Sequence, residues 1–159
     1  MRLDHSCQVQ RRTHAERGHD LYETPRVAVA ALLDVEPLPA RIGEPAVGRG
    51  AIARVLESAG HEAIGTDLIG YGAGYLGGID FLQERVPRAS CIVTNPPFRI
   101  ADTFVARALD LAPTVIMLLR LALLESERRT GILEGRGLRR IHVSTPHDAP
   151  RSMGGPQGQ

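Results

Sequence analysis

Short apolar runs without alternation, separated by helix-patterned stretches, constrain this chain more than any other feature. Ile92-Val93-Thr94 and Thr114–Leu119 show no period of two, so each such strand expects cover on both faces. Between them Ala101–Leu111 reads as a helix. Ala51–Ala59, closed by Gly60, and Glu62–Leu68 form an earlier helix–strand step, and Arg41–Pro45 supplies the first strand. Upstream, Val27–Leu33 has an apolar helical face, with Thr24 as its expected cap, Pro25 in its first turn, and Pro37 and Pro39 ending it. Further elements are expected at Ala122–Glu134 (helix) and Arg140–Ser144 (strand), while Ile69–Gly78, with five glycines, reads as loop. This succession predicts an α/β fold: a doubly wound, mostly parallel sheet covered by helices. In such sheets ligands lie beyond the carboxyl ends of the strands, where the strand order reverses.

At 159 residues the chain suits one domain that needs no disulfide or structural metal. Residues 21–144 read as that domain, 1–20 as a flexible arm, and 145–159 as a disordered tail. Cys7 and Cys91 have no paired spacing, and the six His share no ligand spacing, so a reducing, cytoplasmic setting without a zinc site is expected. The most apolar run, Leu111–Leu124, is too short to span a bilayer and is broken by Arg120. Charge is uneven: residues 27–119 are net −3 and residues 120–159 net +3. Any polyanion-facing surface therefore belongs to the Arg-rich C-terminal third.

Glu44-Pro45-Ala46-Val47-Gly48-Arg49-Gly50 leaves the first strand and opens a helix. Glycines there permit a sharp turn and a close backbone approach to a ligand. The stretch also satisfies G-x-G-x-x-A, and Asp67 ends the next strand where a ribose-binding acid belongs. Glu44 argues against a dinucleotide, because its carboxylate repels a pyrophosphate and suits a cation; S-adenosylmethionine carries a sulfonium and an ammonium. Asp80 can accept from an adenine amine while Phe81 packs on the purine, although Asp80 also reads as an ordinary helix cap.

Asn95, the only Asn in the chain, begins Asn95-Pro96-Pro97-Phe98 at the end of a buried strand. Two prolines stiffen the backbone and leave the Asn95 side-chain oxygen and the Pro96 carbonyl as fixed acceptors. A planar exocyclic amine such as adenine N6 can donate to both, and Phe98 can stack on the base. Methyl transfer to that amine needs mostly positioning.

With these pieces in order, the chain resembles the N6-adenine DNA methyltransferases that carry an NPPY or NPPF motif, including small phage and bacterial forms. The likeness spans residues 20–130. Tyr22-Glu23-Thr24-Pro25 resembles the segment across the cofactor's methionine end, and Glu44 to Gly50 the cofactor loop. Gly65-Thr66-Asp67-Leu68 resembles the ribose-binding strand end, Asp80-Phe81 the adenine-binding pair, and Asn95 to Phe98 the catalytic motif. The resemblance implies a Rossmann-like class I methyltransferase fold, S-adenosyl-L-methionine as cofactor and DNA as substrate. The family's closing strands and their aromatic residue are not found after Leu124. The sheet is therefore expected to lack its last strands, leaving an edge for a partner subunit or a second copy.

Three other readings remain. The same tetrapeptide can hold an RNA base amine or a protein glutamine amide. The chain can also be a non-catalytic cofactor-binding remnant, or, least in keeping with Asn-Pro-Pro-Phe, a nicotinamide oxidoreductase. Ser126 with His142 or His147 makes no triad, and Cys91 reads as a small core residue.

Overall fold

The computed structural model describes residues 23–120, 122, 131 and 138–143. Its centre is a four-stranded sheet in the order β2-β1-β3-β4, with every neighbouring pair parallel. The strands are β1 (Arg41–Glu44), β2 (Glu62–Gly65), β3 (Cys91–Thr94) and β4 (Thr114–Met117). Among the described residues three whole helices accompany them: α1 (Arg26–Val35), α2 (Ala53–Ser58) and α3 (Ala101–Leu111). The chain runs from β1 to β2 on one side and returns to place β3 on the other. The order thus reverses between β1 and β3, whose carboxyl ends are Glu44 and Thr94.

β3 shows why both faces are apolar. Cys91 and Val93 join one cluster with Val29, Ile42, Ile52, Val55 and Leu56, which brings in α1 and α2. Ile92, between them in sequence, points to the opposite cluster with Phe81, Phe104, Ala108 and Leu111, which brings in α3. Successive side chains on a strand alternate faces, so an unalternated apolar run needs two cores. α3 answers with Ala101, Phe104, Val105, Ala108 and Leu111 on one buried stripe. Phe104 meets Phe81 at 4.6 Å between ring centroids, an aromatic pair worth about 0.5–1.5 kcal/mol beyond its buried area.

The termini of the elements follow local chemistry. α2 closes through Gly60 at φ 92°, with Gly60 N–H donating to Glu57 O and His61 N–H to Leu56 O. α1 ends at Val35, ahead of the two prolines, as expected. It starts at Arg26 after Pro25, but no side chain caps it. Thr24 is not the cap, because Pro25 occupies the N-cap position and Thr24 stands one residue before it.

The strand expected at Arg140–Ser144 is not formed over its described part, residues 140–143. That stretch lies exposed, and two of its side chains meet the residue that ends α1: Arg140 donates to Glu36 Oε2 at 2.7 Å and His142 Nε2 contacts Glu36 Oε1 at 2.8 Å. The expected helix at Ala122–Glu134 falls on residues of which only Ala122 and Gly131 are described, and the arm, Tyr22 and the tail lie outside the described residues. Among the described residues no strand follows β4, and no helix is long and apolar enough to cross a membrane.

Candidate functional site

At the point where the strand order reverses lies a cleft of about 260 Å³. Its walls are Glu23 and Thr24 before α1, Glu44 to Arg49 and Ala51 around the β1 turn (Pro45 excepted), and Asn95 beyond β3. The sequence reading brought Asn95 and the glycine turn together on topology, and they line one space. Most of this space is open to solvent, so the cleft is a shallow indentation that does not enclose a nucleoside-sized molecule.

Asn95 is held from the side. Its Nδ2 donates to Thr24 Oγ1 at 3.1 Å. Thr24 is itself buried. With the amide nitrogen turned to Thr24, the carbonyl oxygen occupies the other arm of the side chain. Pro96 is buried, and Pro97 leads into a single 3-10 turn over Phe98–Ile100. Phe98 is half-buried, and the Arg120 guanidinium lies 4.2 Å from its ring centroid.

Glu44 is the site's electrostatic feature. It is 2% exposed at the end of β1, and its Oε2 has no hydrogen-bond partner. Burial pushes its carboxyl well above the usual carboxylate range; the Ala53 backbone N–H pulls the other way, and the Asp67 and Glu57 charges push it further up. A buried acceptor without a partner is costly unless a ligand or a charge satisfies it. Glu44 also borders a second space of about 300 Å³, with Pro45, Thr66, Phe81, Arg88 and Leu111.

Asp67 ends the β2 segment and works within the protein. Its Oδ2 accepts from Gly48 N–H at 2.8 Å and its Oδ1 from Ile69 N–H at 3.0 Å. It ties the glycine turn to the loop after β2. Two of about four carboxylate lone-pair positions are used, so the group can still accept from a diol. Leu68 beside it is exposed.

Asp80 and Phe81 are placed elsewhere. Asp80 is exposed and its Oδ1 accepts from Leu82 N–H at 3.0 Å, which is the ordinary cap weighed from the sequence. Phe81 is buried against Phe104. Neither lines the cleft that holds Asn95, although Phe81 reaches the second space.

One residue of the site was not legible. Tyr75, in the glycine-rich loop, packs against the turn after β1. A Cβ on Gly50 (φ 84°) would lie 2.4 Å from its Cε2, and one on Gly65 would lie 2.6 Å from its Cδ1 and 2.7 Å from Val47 Cγ2. These glycines make room for a tyrosine of the same chain, whose hydroxyl donates to Glu57 at 3.1 Å. The only sequence signal was an aromatic residue inside an otherwise featureless loop. Cys91 is a fully buried free thiol, pushed by burial up to about 11, and is not a nucleophile.

No protein-family model matches this chain, and no curated protein matches it at significant similarity.

Proposed function

We propose that this chain is an S-adenosyl-L-methionine-dependent N-methyltransferase whose acceptor is an exocyclic amine, adenine N6 in DNA. The observation that carries the reading is the pairing of Asn95 with Glu44 in one cleft. An oriented carboxamide stands on one wall, and a buried carboxyl with an unsatisfied oxygen stands on another.

The residues present fit a cationic ligand. Glu44 is penalised by burial in the absence of a positive charge and relieved by one. The same carboxylate disfavours the pyrophosphate of a nicotinamide dinucleotide. Asp67 remains able to accept from ribose hydroxyls, and Thr24 and Ala46, which line the cleft, would face the methionine end. When bound, S-adenosylmethionine supplies a methyl group whose bond to sulfur breaks as the bond to the amine nitrogen forms, leaving a neutral thioether.

The chain's own part is positioning. Asn95 Oδ1 and the Pro96 carbonyl accept the two amine N–H groups, turning the nitrogen lone pair toward the cleft. Thr24 keeps the Asn95 amide from rotating. Phe98 offers a ring for the base to stack on. Holding two reactants in line contributes up to about 7–11 kcal/mol to lowering such a barrier, and no strong base is required. The nitrogen sheds its extra proton to water after it has become cationic.

A second reading has a specific observation behind it. Asp80 is committed to its own turn and Phe81 to the core, so the adenine-binding pair of the family pattern does not reach this cleft. That favours a cofactor-binding chain that turns over only with a partner subunit, seated where β4 ends the described sheet. A cytoplasmic setting belongs to both readings.

Tritium transfer from labelled cofactor to unmethylated DNA, RNA and protein tests the proposal. Label on DNA adenine supports it, label on RNA or glutamine moves the chemistry to another substrate, and cofactor affinity without transfer supports the second reading.

A further inference from the structure

Arg120 has no role in the chemistry above and, like Phe98, lies outside the residues that line the cleft. It follows β4 by three residues and is exposed, yet its guanidinium is stacked 4.2 Å from the Phe98 ring centroid. Phe98 belongs to the tetrapeptide that begins with Asn95, so the stacked cation covers a ring beside the amine-binding acceptors. Arg120 is also the first of seven Arg in the net +3 stretch of residues 120–159.

We propose that Arg120 is a positioning residue for a nucleic-acid substrate: it holds the Phe98 ring until a base displaces it, and it then pairs with a phosphate of the extruded nucleotide. This rests on the methyltransferase reading and narrows it to nucleic acid rather than a protein amide. The exchange is favourable on physical grounds. A guanidinium that stays in solvent over an aromatic ring is held weakly, whereas a base stacked on an aromatic side chain is held more firmly. The displaced guanidinium does not go unpaired, because every nucleotide that brings a base also brings a phosphate, and a planar guanidinium suits phosphate oxygens. A glutamine side chain brings neither a stacking face nor an anion, so the same displacement gains nothing for a protein substrate.

The test uses the full chain and a single-stranded oligonucleotide with one 2-aminopurine among thymines. Affinity and fluorescence are followed across a series of salt concentrations, without cofactor or methyl transfer. Binding by the parent chain with a change in 2-aminopurine fluorescence is expected. R120Q is expected to bind about tenfold more weakly at low salt. Its slope of log affinity against log salt should be shallower by about 0.7, the value for one lost single-strand phosphate contact. R120K is expected to recover the slope, because it restores the charge. F98A is expected to lose the fluorescence change and to keep the slope. Parental affinity and slope in R120Q overturn the proposal, as does R120K behaving like R120Q, and so does an oligonucleotide that the parent chain does not bind. Binding of this kind by a chain that never transfers methyl removes the methyltransferase reading and leaves the assignment of Arg120 standing. Methyl transfer to DNA that is indifferent to R120Q does the reverse.

Discussion

The Asn95 side chain donates to Thr24 Oγ1 at 3.1 Å across 71 residues of sequence. This bond joins the segment before α1 to the tip of β3. It fixes an amide that otherwise rotates between two orientations, of which one presents an acceptor to the cleft and the other a donor. Replacing the hydroxyl by a methyl group removes the bond and keeps the shape. T24V is therefore expected to fold and to bind cofactor. It should lose roughly fivefold in kcat/KM on DNA, the equivalent of about 1 kcal/mol for one hydrogen bond. Steady-state methylation kinetics check this; unchanged kcat/KM contradicts the role given to Thr24.

Glu44 gives a pH dependence with a definite sign. Its folded-state pKa is raised by burial, so the folded chain holds this proton more tightly than the unfolded chain does. The associated stability is complete below the unfolded value near 4.5 and is lost as pH rises from there through the folded value. E44Q carries no charge to bury. It is expected to exceed the parent in stability by on the order of 1 kcal/mol at pH 8, with a smaller difference at pH 5. Denaturant melts at the two pH values read this directly.

The same carboxyl couples ligand binding to a proton. A cationic ligand favours ionised Glu44, so S-adenosylmethionine is expected to expel a proton on binding and to bind more tightly as pH rises over that window. Calorimetry in two buffers of different ionisation enthalpy measures the proton count. Proton uptake contradicts the contact between Glu44 and the ligand's positive charge.

Much of this arrangement was legible because it depends on local rules. The α3 boundaries at Ala101 and Leu111 follow from an unbroken apolar stripe, and β3 from a run too greasy for one face. The shared cleft of Asn95 and the glycine turn follows from strand order alone. What was not legible depends on which partner each side chain meets. Thr24 reads as a helix cap, but Pro25 occupies that position and the Thr24 hydroxyl accepts from Asn95. Asp67 reads as a ligand group, and its bonds to the Gly48 and Ile69 amides, which lie 19 and 2 residues away, have no sequence signal of their own. Arg140 and His142 read as strand residues, but both meet Glu36 at the end of α1.

Tyr75 makes a prediction about glycines that look reserved for a ligand. A methyl group on Gly65 meets both Tyr75 and Val47 at under van der Waals distance. G65A is expected to lose about 1–3 kcal/mol by overpacking. Y75A should restore part of that loss when combined with it, giving a non-zero coupling in a double-mutant cycle. Additive effects contradict the contact.

Glu36 predicts an acid-sensitive anchor for residues 138–143. The hydrogen bond from His142, and then that from Arg140, hold its carboxyl below the usual range. A lowered carboxyl stabilises the paired state above its ordinary value near 4.5, and that stabilisation is lost as pH falls through the folded value. Proteolysis near residues 138–143 is expected to accelerate below that pH in the parent and to be fast at every pH in E36Q.

The central claim is that Asn95 grips the acceptor amine and does not build the cofactor site. The most direct measurement compares N95A with the parent chain in cofactor calorimetry and in tritium transfer to unmethylated DNA. The expected result is parental cofactor affinity with no label on adenine; N95A transferring methyl as well as the parent contradicts the account.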